Sequence, residues 1–280
     1  GLLYALIAMS FVIIYRAARV FNFAQGEVVM VGAFFVWTLM SALELPWWVS
    51  VPVALLGSLL LGLAIERVIL RPLVGEELFA FVMVTIGLLI FLRGAILVVW
   101  GPEVRFFPVV IPLDAVRIGP LVLDRALVVG GAVTLVVAAA ASWFFNRTQA
   151  GLAMSAVAED HQTALSLGIS VKRSIAIAWG ISGVLSTVAA IVFLNGKGMT
   201  FLASDIGMAA LPVALLAGLE SIGGVVLGGL IIGLAIGVAA HFLDPVFQGG
   251  VAAVFPFVIM VVILLVRPTG LFGWKTIKRI

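Results

Sequence analysis

The sequence contains no cysteine, only two histidines and few charged residues. Without cysteine, disulfides, thiolate metal sites and a cysteine nucleophile are excluded. The histidines, His161 and His241, lie 80 positions apart, so no HExxH zinc motif is present. Charged residues make up 10% of the chain, whereas soluble proteins contain about 25%. So few charges cannot cover a surface that faces water, and a soluble fold is therefore excluded.

Hydrophobic residues make up 64% of the chain and are concentrated in nine runs. About 20 apolar residues in a helix span the roughly 30 Å hydrocarbon core of a bilayer. The sequence therefore predicts an all-α fold, a polytopic transmembrane helical bundle that forms one domain over residues 1–280, with room for one more helix before Gly1. The runs cover residues 1–15, 27–43, 47–65, 78–99, 126–145, 174–194, 206–219, 221–243 and 249–266. The first is short, and so is 206–219, where Pro212 predicts a short or broken helix.

The distribution of Lys and Arg predicts the orientation of these spans. If the C-terminus is cytoplasmic, eleven basic residues lie inside and four outside, with Arg93 within a span, as the positive-inside rule requires. This count treats 206–219 and 221–243 as separate spans that are joined by a turn. It makes segments 16–26, 66–77 and 146–173 cytoplasmic and loop 100–125 extracytoplasmic. The prolines of 100–125 predict an ordered cap, which either meets an extracellular partner or only covers helix ends.

Polar residues are rare within the spans. Glu27, Glu66 and Arg93 lie near span ends, where they are either interfacial anchors or members of local ion pairs. No span has the buried charge cluster that ion-driven carriers usually need. The side chains that either line a pathway or bond to their own helix carbonyls are Asn22, Gln25, Thr85, Ser182, Ser186 and Thr187.

Glycines recur at a spacing of four residues in the span 221–243. Such spacing lets two helix backbones approach closely, either within this chain or against another subunit. The glycines that we assign to helix packing are Gly224, Gly228, Gly229, Gly233 and Gly237.

Segment 146–173 is too long for a simple connection. Its pattern predicts two short helices, the first over about residues 150–158 and the second capped by Asp160. Ala164, Leu165 and Leu167 predict a small apolar face on the second helix, and Gly168 suits its end. The two helices either pack against the membrane surface or fit a cleft in a peripheral protein.

Four parts of the sequence resemble permeases of ABC importers in the branched-chain amino-acid family. The residues that resemble the family's cytoplasmic coupling loop are Ala158, Glu159, Asp160, Ala164, Leu167, Gly168 and Ile169. Those that resemble its signature after the first span are Asn22, Phe23, Ala24, Gln25, Gly26 and Glu27, with Gln25 where His is common. Residues 216–224 are similar to its Gly-rich turn between two late helices, although Ala217, Glu220 and Gly223 depart from the pattern. Residues 267–273 resemble its exit from the last span.

The resemblance implies a LivH-type subunit, with the LivM-type as the alternative, in a bacterial or archaeal plasma (inner) membrane. Its implied partners are a second, LivM-type permease, two ABC ATPase subunits, an extracytoplasmic solute-binding protein and the lipid bilayer, with no nucleic acid. Branched-chain amino acids are the default solute, and urea, short amides and aromatic or dicarboxylic acids are alternatives. The implied chain is not an enzyme: it has no catalytic residue, metal or cofactor, and its partners hydrolyse ATP.

The sequence itself agrees that the energy source lies elsewhere, because it contains no GxxxxGK[ST] phosphate-binding loop. The nearest fragment, Gly196-Lys197-Gly198, has no Ser or Thr after the lysine. The alternative function from a different class is a stand-alone secondary carrier or channel for small solutes. It predicts solute movement by this chain alone, whereas an ABC permease subunit alone is inert.

Overall fold

A computed structural model describes residues 1–73, 75–118, 121–247 and 249–273. In this part of the chain, α-helices dominate and strands are short. The helices are α1 Leu2–Ala18, α2 Gln25–Trp37, α3 Trp47–Ile65, α4 Leu78–Trp100, α5 Arg125–Arg147, α6 Gln149–Glu159, α7 His161–Ser166, α8 Val171–Leu194, α9 Asp205–Ala217, α10 Ile222–Val238 and α11 Val251–Val266. The strands are β1 Arg105–Phe106, β2 Ala115–Ile118, β3 Leu121–Asp124 and β4 Gly198–Met199. Short π-helical segments extend α2 to Ala42, α3 to Leu70 and α10 to Leu243.

Within the residues that the structure describes, the nine apolar runs correspond to nine apolar helices, so the predicted transmembrane helical bundle is confirmed. Six of these helices are long enough to span a membrane: Gln25–Ala42, Trp47–Leu73, Phe79–Trp100, Arg125–Arg147, Val171–Leu194 and Ile222–Leu243. Three are shorter, namely Leu2–Ala18, Phe201–Ala217 and Val251–Val266. The structure is therefore that of a multi-pass membrane protein.

The last helix is shorter than the sequence run 249–266. Gly249 and Gly250 have φ values of 99° and 87°, in the left-handed region, so α11 begins only at Val251. The two preceding spans are separate, as the orientation count requires. α9 ends at Ala217 and is followed by Gly218 with φ of 76°, and Ser221 Oγ accepts a hydrogen bond from the N–H of Gly224 at 3.0 Å at the start of α10.

Helices α1, α2, α8 and α9 form the centre of the bundle, and most of their residues are buried. Around them, α3, α4, α5, α10 and α11 expose large apolar side chains. The contact of α3 with α8 is close because it uses small residues. A Cβ at Gly62 would overlap the Trp179 carbonyl, and one at Gly183 would overlap the Ser58 carbonyl. Close backbone contact of this kind favours helix association where lipid provides no hydrophobic driving force.

The two ends of the bundle differ. At the end that we call the strand end, β1 pairs with β4, and β2 pairs antiparallel with β3 in a register that places Ala115 opposite Asp124. Asn195 accepts hydrogen bonds from the N–H groups of Val110 and Ile111, both at 2.9 Å. Segment 100–125 is thus tied to the helix ends, as expected of a cap. The other end carries α6 and α7, and we call it the α6–α7 end.

Candidate functional site

Residues 149–169, called the arm, form two short helices, as the sequence predicts. Thr148 Oγ1 accepts a hydrogen bond from the N–H of Gly151 at 3.0 Å and so caps α6. Asp160 Oδ1 accepts one from the N–H of Thr163 at 2.8 Å and caps α7, which confirms its predicted capping position. Such caps satisfy backbone donors that have no partner within the helix.

The end of α7 is also closed by local bonds. Gly168 has φ of 77°, its N–H donates to the Leu165 carbonyl, and the Ile169 N–H donates to the Ala164 carbonyl, both at 2.9 Å. These two bonds form a Schellman motif. The expected apolar face is only partly correct: Ala164 is buried against the bundle, whereas Leu165 and Leu167 are 60% and 72% exposed. The two leucines therefore point away from the packed side of the arm.

A cleft of about 610 Å³ lies beside α7. The end of α1, the loop before α4 and the starts of α7 and α8 surround it. Its charged lining residues are Arg19, Glu76 and Lys172, and Gln162 and Leu165 of α7 complete that side. The exposed part of the arm thus borders a groove of mixed charge.

Arg19, just after α1, joins the arm to the bundle. Its Nε donates to the Ala158 carbonyl at 3.1 Å, and its guanidinium pairs with Glu220 and lies 3.5 Å from Glu159 Oε2. Burial lowers the pKa of Arg19, but Tyr15 and the charge of Glu220 outweigh this effect, and the net pKa is raised. One side chain therefore connects α6, the end of α1 and the turn before α10.

The motif Asn22–Glu27 lies at the break between α1 and α2, inside the bundle. The sequence placed 16–26 in a cytoplasmic segment, which is wrong for its second half. Only the part around Arg19 reaches the α6–α7 end, whereas Asn22, Ala24 and Gln25 are buried. Non-helical backbone is tolerated at this depth only where protein groups replace the hydrogen bonds of water.

Gln25 and Asn22 form a hydrogen-bonded network at this break, in which Asn22 bonds the backbone. Gln25 Nε2 donates to Ser186 Oγ at 2.6 Å, and its Oε1 accepts from Ser182 Oγ at 3.2 Å and Asn22 Nδ2 at 2.9 Å. Asn22 Oδ1 in turn accepts from the N–H of Ala24 at 3.1 Å. Since Ser182 and Ser186 lie midway along α8, α2 begins in the interior of the bundle rather than at its edge.

The other predicted pathway side chains are also engaged within the chain. Thr85 Oγ1 donates to the Phe21 carbonyl at 3.3 Å, and Thr187 pairs with Ser58. Phe23 packs its ring on Phe21 with centroids 5.3 Å apart. All six candidates, Asn22, Gln25, Thr85, Ser182, Ser186 and Thr187, are buried. In the described part of the chain they join helices and do not line an open passage.

The starts of α2 and α9 meet at two glycines. A Cβ at Gly26 would overlap the Ser204 carbonyl, and one at Gly207 would overlap the backbone of Gly26. Beside this contact, Arg93 Nε donates to Glu27 Oε1 at 2.9 Å, and its Nη2 donates to Ser204 Oγ at 2.8 Å and Asp205 Oδ1 at 3.2 Å. Of the two interpretations of Glu27 and Arg93, the structure therefore shows the ion pair.

Glu66, the third charge noted near a span end, is also paired. Arg71 donates through Nε and Nη2 to its two carboxylate oxygens at 3.2 and 3.0 Å. Glu66 itself is buried while Arg71 is partly exposed, so the pair satisfies a carboxylate at the end of α3.

The Gly-rich turn and the exit from the last helix form one contact. A Cβ at Gly218 would overlap the Thr269 carbonyl, and one at Gly270 would overlap the backbone of Gly218. The N–H of Leu271 donates to the Leu216 carbonyl at 2.8 Å. Two segments that the sequence singled out separately thus meet at the α6–α7 end. Residues 274–280, with Lys275, Lys278 and Arg279 of the orientation count, lie outside the described residues.

Four of the five glycines assigned to helix packing have close neighbours within the chain. Gly224 lies against the carbonyl of Ala217, Gly228 against that of Val213, Gly229 against Ala5, and Gly233 against Gly1. A Cβ at Gly237 would meet no described atom within 4 Å. The stripe therefore packs α10 onto α9 and α1 along most of its length.

The comparisons with known proteins agree with this arrangement. The family model described as "Branched-chain amino acid transport system / permease component" matches residues 1–266. The chain belongs to this permease family. The "High-affinity branched-chain amino acid transport system permease protein BraD" of Pseudomonas aeruginosa is 30% identical over 297 residues, which cover 100% of this chain and 94% of that protein. The LivH permease protein of Escherichia coli is 27% identical over 300 residues, with the same coverage.

A more distant relative also belongs to an import system. The autoinducer 2 import system permease protein LsrC of Escherichia coli is 29% identical over 204 residues, which cover 70% of this chain and 55% of that protein. No solved structure matches the chain. The predicted resemblance to branched-chain amino-acid permeases is therefore confirmed, and the chain is a member of a transport family.

Sequence reasoning missed two features of this permease. Asp205 was given no role, although it is a charge at the start of a short apolar helix, which is a visible signal. Glu220 was recorded only as a departure from the family pattern, whereas the structure pairs it with Arg19. No spacing rule links positions 201 residues apart, so that contact had no signal in the sequence. Among the described residues, no group of three or more His, Cys, Asp or Glu is placed to hold a metal ion.

Proposed function

We propose that this chain is the LivH-type membrane subunit of an ABC importer. With a second, LivM-type permease it forms the pathway for branched-chain amino acids or related small polar solutes. Two separate ATPase subunits hydrolyse ATP and bind the arm, and a solute-binding protein delivers solute at the strand end. The whole chain, residues 1–280, acts as one transmembrane domain in the plasma (inner) membrane of a bacterium or archaeon, and it binds no cofactor.

The arm is the observation that carries this proposal. Its two helices are capped, it exposes Leu165 and Leu167, and Arg19 ties it to α1 and to the turn before α10. A protein that binds this arm can act through Arg19 on the end of α1 and on the turn between α9 and α10. Membership of the permease family and the similarity to branched-chain amino-acid permease proteins support the same function.

The placement of the basic residues supports a cytoplasmic α6–α7 end. The described basic residues of this end are Arg16, Arg19, Arg67, Arg71, Arg147, Lys172, Arg173 and Arg267. Those of the strand end are Arg105, Arg117, Arg125 and Lys197. The excess at the α6–α7 end agrees with the positive-inside rule.

The test is reconstitution in proteoliposomes with and without the other subunits. The chain is co-expressed with the second permease, the ATPases and the binding protein encoded with it, and uptake of L-leucine is measured. We expect uptake only in the full complex with ATP, none with a non-hydrolysable ATP analogue, and none by the chain alone. Leucine movement by the chain alone, driven by an ion gradient or by leak, would instead support the stand-alone carrier or channel.

A further inference from the structure

Three charged side chains from three helices meet inside the apolar layer of the bundle: Glu27 of α2, Arg93 of α4 and Asp205 of α9. At 1.5 Å per residue, Arg93 lies about 10 Å from the strand end of α4 at Trp100. Asp205 lies about 18 Å from the other end of its helix, at Ala217. A hydrocarbon core of about 30 Å therefore encloses the cluster.

The cluster is exposed on one side. The Glu27 side chain is buried, but those of Arg93 and Asp205 are 32% and 69% exposed. One guanidinium faces two carboxylates, so one negative charge is in excess. An Asp within the bilayer is energetically costly, and such residues almost always face a bundle interior or a water-filled cavity. This side of the chain is therefore not a lipid-facing surface.

The start of α2 lies at this depth. The start of α2 contacts α9 at Gly26 and Gly207. Asp205 is the first residue of α9, which continues directly from the 3₁₀ helix Phe201–Ser204, so the open helix start at this depth is that of α2. Helix N-termini inside a membrane carry a partial positive charge that attracts the anionic group of a solute. The cluster thus presents a carboxylate, a guanidinium and a helix start within one small region.

Apolar side chains flank the exposed carboxylate. Leu202 and Met208 lie three residues before and after Asp205 and are 53% and 43% exposed. Residues three apart lie on the same side of a helix. Beyond Met208, most of α9 is buried, so the exposed face of this helix is confined to the region of the cluster. The exposed surface around Asp205 therefore combines charged and apolar side chains.

We propose that the Glu27–Arg93–Asp205 cluster is a binding position on the solute pathway for a zwitterionic amino acid with an apolar side chain. The solute ammonium pairs with the exposed carboxylate of Asp205. Within the described part of the chain Arg93 bonds through Nε and Nη2, which leaves Nη1 for the solute carboxylate. The apolar side chain of the solute lies against Leu202 and Met208. This inference rests on the proposed function, because it needs a water-filled pathway on this side of the chain.

The absence of native cysteine makes the position testable by site-directed labelling. Met208→Cys places a thiol beside Asp205, and Leu202→Cys serves as a second position if that variant fails to insert. The lipid-facing control is Val136→Cys, which is 68% exposed at the middle of α5, a helix that packs on α1, α6 and α10. Membranes that contain the full complex are treated with charged methanethiosulfonate reagents, one a trimethylammonium cation and one a sulfonate anion.

We expect the cationic reagent to modify Met208→Cys at least about tenfold faster than Val136→Cys, because only the former site is open to water. At Met208→Cys the cation should react roughly fivefold faster than the anion, because the local charge is negative. Asp205→Asn in the same chain should abolish that preference, and Asp205→Glu should retain it. L-leucine with the binding protein and ATP should slow the labelling.

Each contrary result has a distinct meaning. If the thiols of Met208→Cys and Leu202→Cys react no faster than that of Val136→Cys, lipid or protein covers the surface around Asp205, and the proposed binding position is overturned. The same holds if Asp205→Asn leaves the preference for the cationic reagent intact, or if leucine leaves the labelling unchanged. Failure of the ATPases to copurify with the unmodified chain would instead overturn the proposed function. Labelling and copurification are measured separately, so the two failures are distinguishable.

Discussion

The arm and the break between α1 and α2 both interrupt the spanning helices, but their side chains bond over different distances along the chain. In the arm, Asp160 bonds an amide three residues away, and Gly168 closes α7 on its own last turn. In the break, Gln25 reaches Ser186, 161 residues away. The helix ends of the arm are thus closed by local bonds, whereas the side chains of the break depend on the packed bundle.

The two segments are therefore expected to affect different properties, the break the stability of the chain and the arm its binding to partners. The break is buried at the contact of α2, α8 and α9, so a change there disturbs several helices at once. The arm exposes Leu165 and Leu167, so a change on its outer side disturbs little of the packing within the described chain. We therefore expect substitutions in the break to unfold the chain and substitutions on the arm to weaken only what binds it.

The largest effect is expected from Gly26→Leu. Because even a Cβ at this position would overlap the Ser204 carbonyl, the starts of α2 and α9 must separate. Overpacking costs typically about 1–3 kcal/mol and more where backbone is the obstacle. The yield of monodisperse protein in detergent should collapse. The matched control is Gly87→Leu, since a Cβ at Gly87 meets no described atom within 4 Å. Equal yields of the two variants would contradict the close contact of α2 and α9.

A smaller loss is expected from Gln25→Leu. The substitution removes the acceptor of the Asn22 amide and of the Ser182 hydroxyl in the core, which costs about 1–3 kcal/mol, whereas Ser186 keeps its bond to the Ser182 carbonyl. Gln25→His is the control, because His is common here in the family pattern and can both donate and accept. Thermal unfolding in detergent, followed by the loss of monodisperse protein, should rank the native chain and Gln25→His above Gln25→Leu. If Gln25→Leu is as stable as Gln25→His, the network does not hold the break.

The same difference explains what could be predicted from the sequence. The two helices of the arm, the Asp160 cap and the role of Gly168 depend on residues within a few positions of each other, and all were predicted. The buried position of Asn22–Gly26 depends on bonds to Ser182 and Ser186. No local sequence pattern links these serines to the Asn22–Gly26 segment. A short polar segment after an apolar run is typical of a surface loop, and the interpretation as a cytoplasmic segment was therefore wrong there.

The charged cluster could likewise be predicted from the sequence only in part. Glu27 and Arg93 were recognised as charges near span ends, and a local ion pair was one of two interpretations. Asp205 could not be joined to them, because their meeting depends on how α9 packs against α2. The short run 206–219 carried a signal, since a helix too short to span a membrane must begin or end inside it. That signal indicates a helix end at depth but not which side chains meet there.

A modest effect is expected from Gly168→Ala. Gly168 has φ of 77°, and a left-handed conformation costs a residue with a Cβ about 1 kcal/mol or more. Because the strain is confined to the end of α7, the unfolding temperature should fall only slightly, whereas ATPase copurification should fall clearly. Gly223→Ala in α10 is the control, where a Cβ meets no described atom within 4 Å and copurification should be unchanged. Full copurification with Gly168→Ala would show that the shape of this end is not needed for docking.

The smallest effect on stability, with a large effect on binding, is expected from Leu167→Glu. The side chain is 72% exposed, and exposed substitutions usually change the free energy of unfolding by less than about 0.5 kcal/mol. If the ATPase buries this leucine, a carboxylate there should lower the affinity of the permease for the ATPase by about tenfold or more.

The matched control is Val122→Glu, at a residue that is 63% exposed at the strand end, which should leave ATPase binding intact. Affinity is measured by titrating the detergent-solubilised permease with purified ATPase. Unchanged affinity with Leu167→Glu would place the contact elsewhere on the α6–α7 end, and equal losses in both variants would indicate a non-specific effect of the added charge.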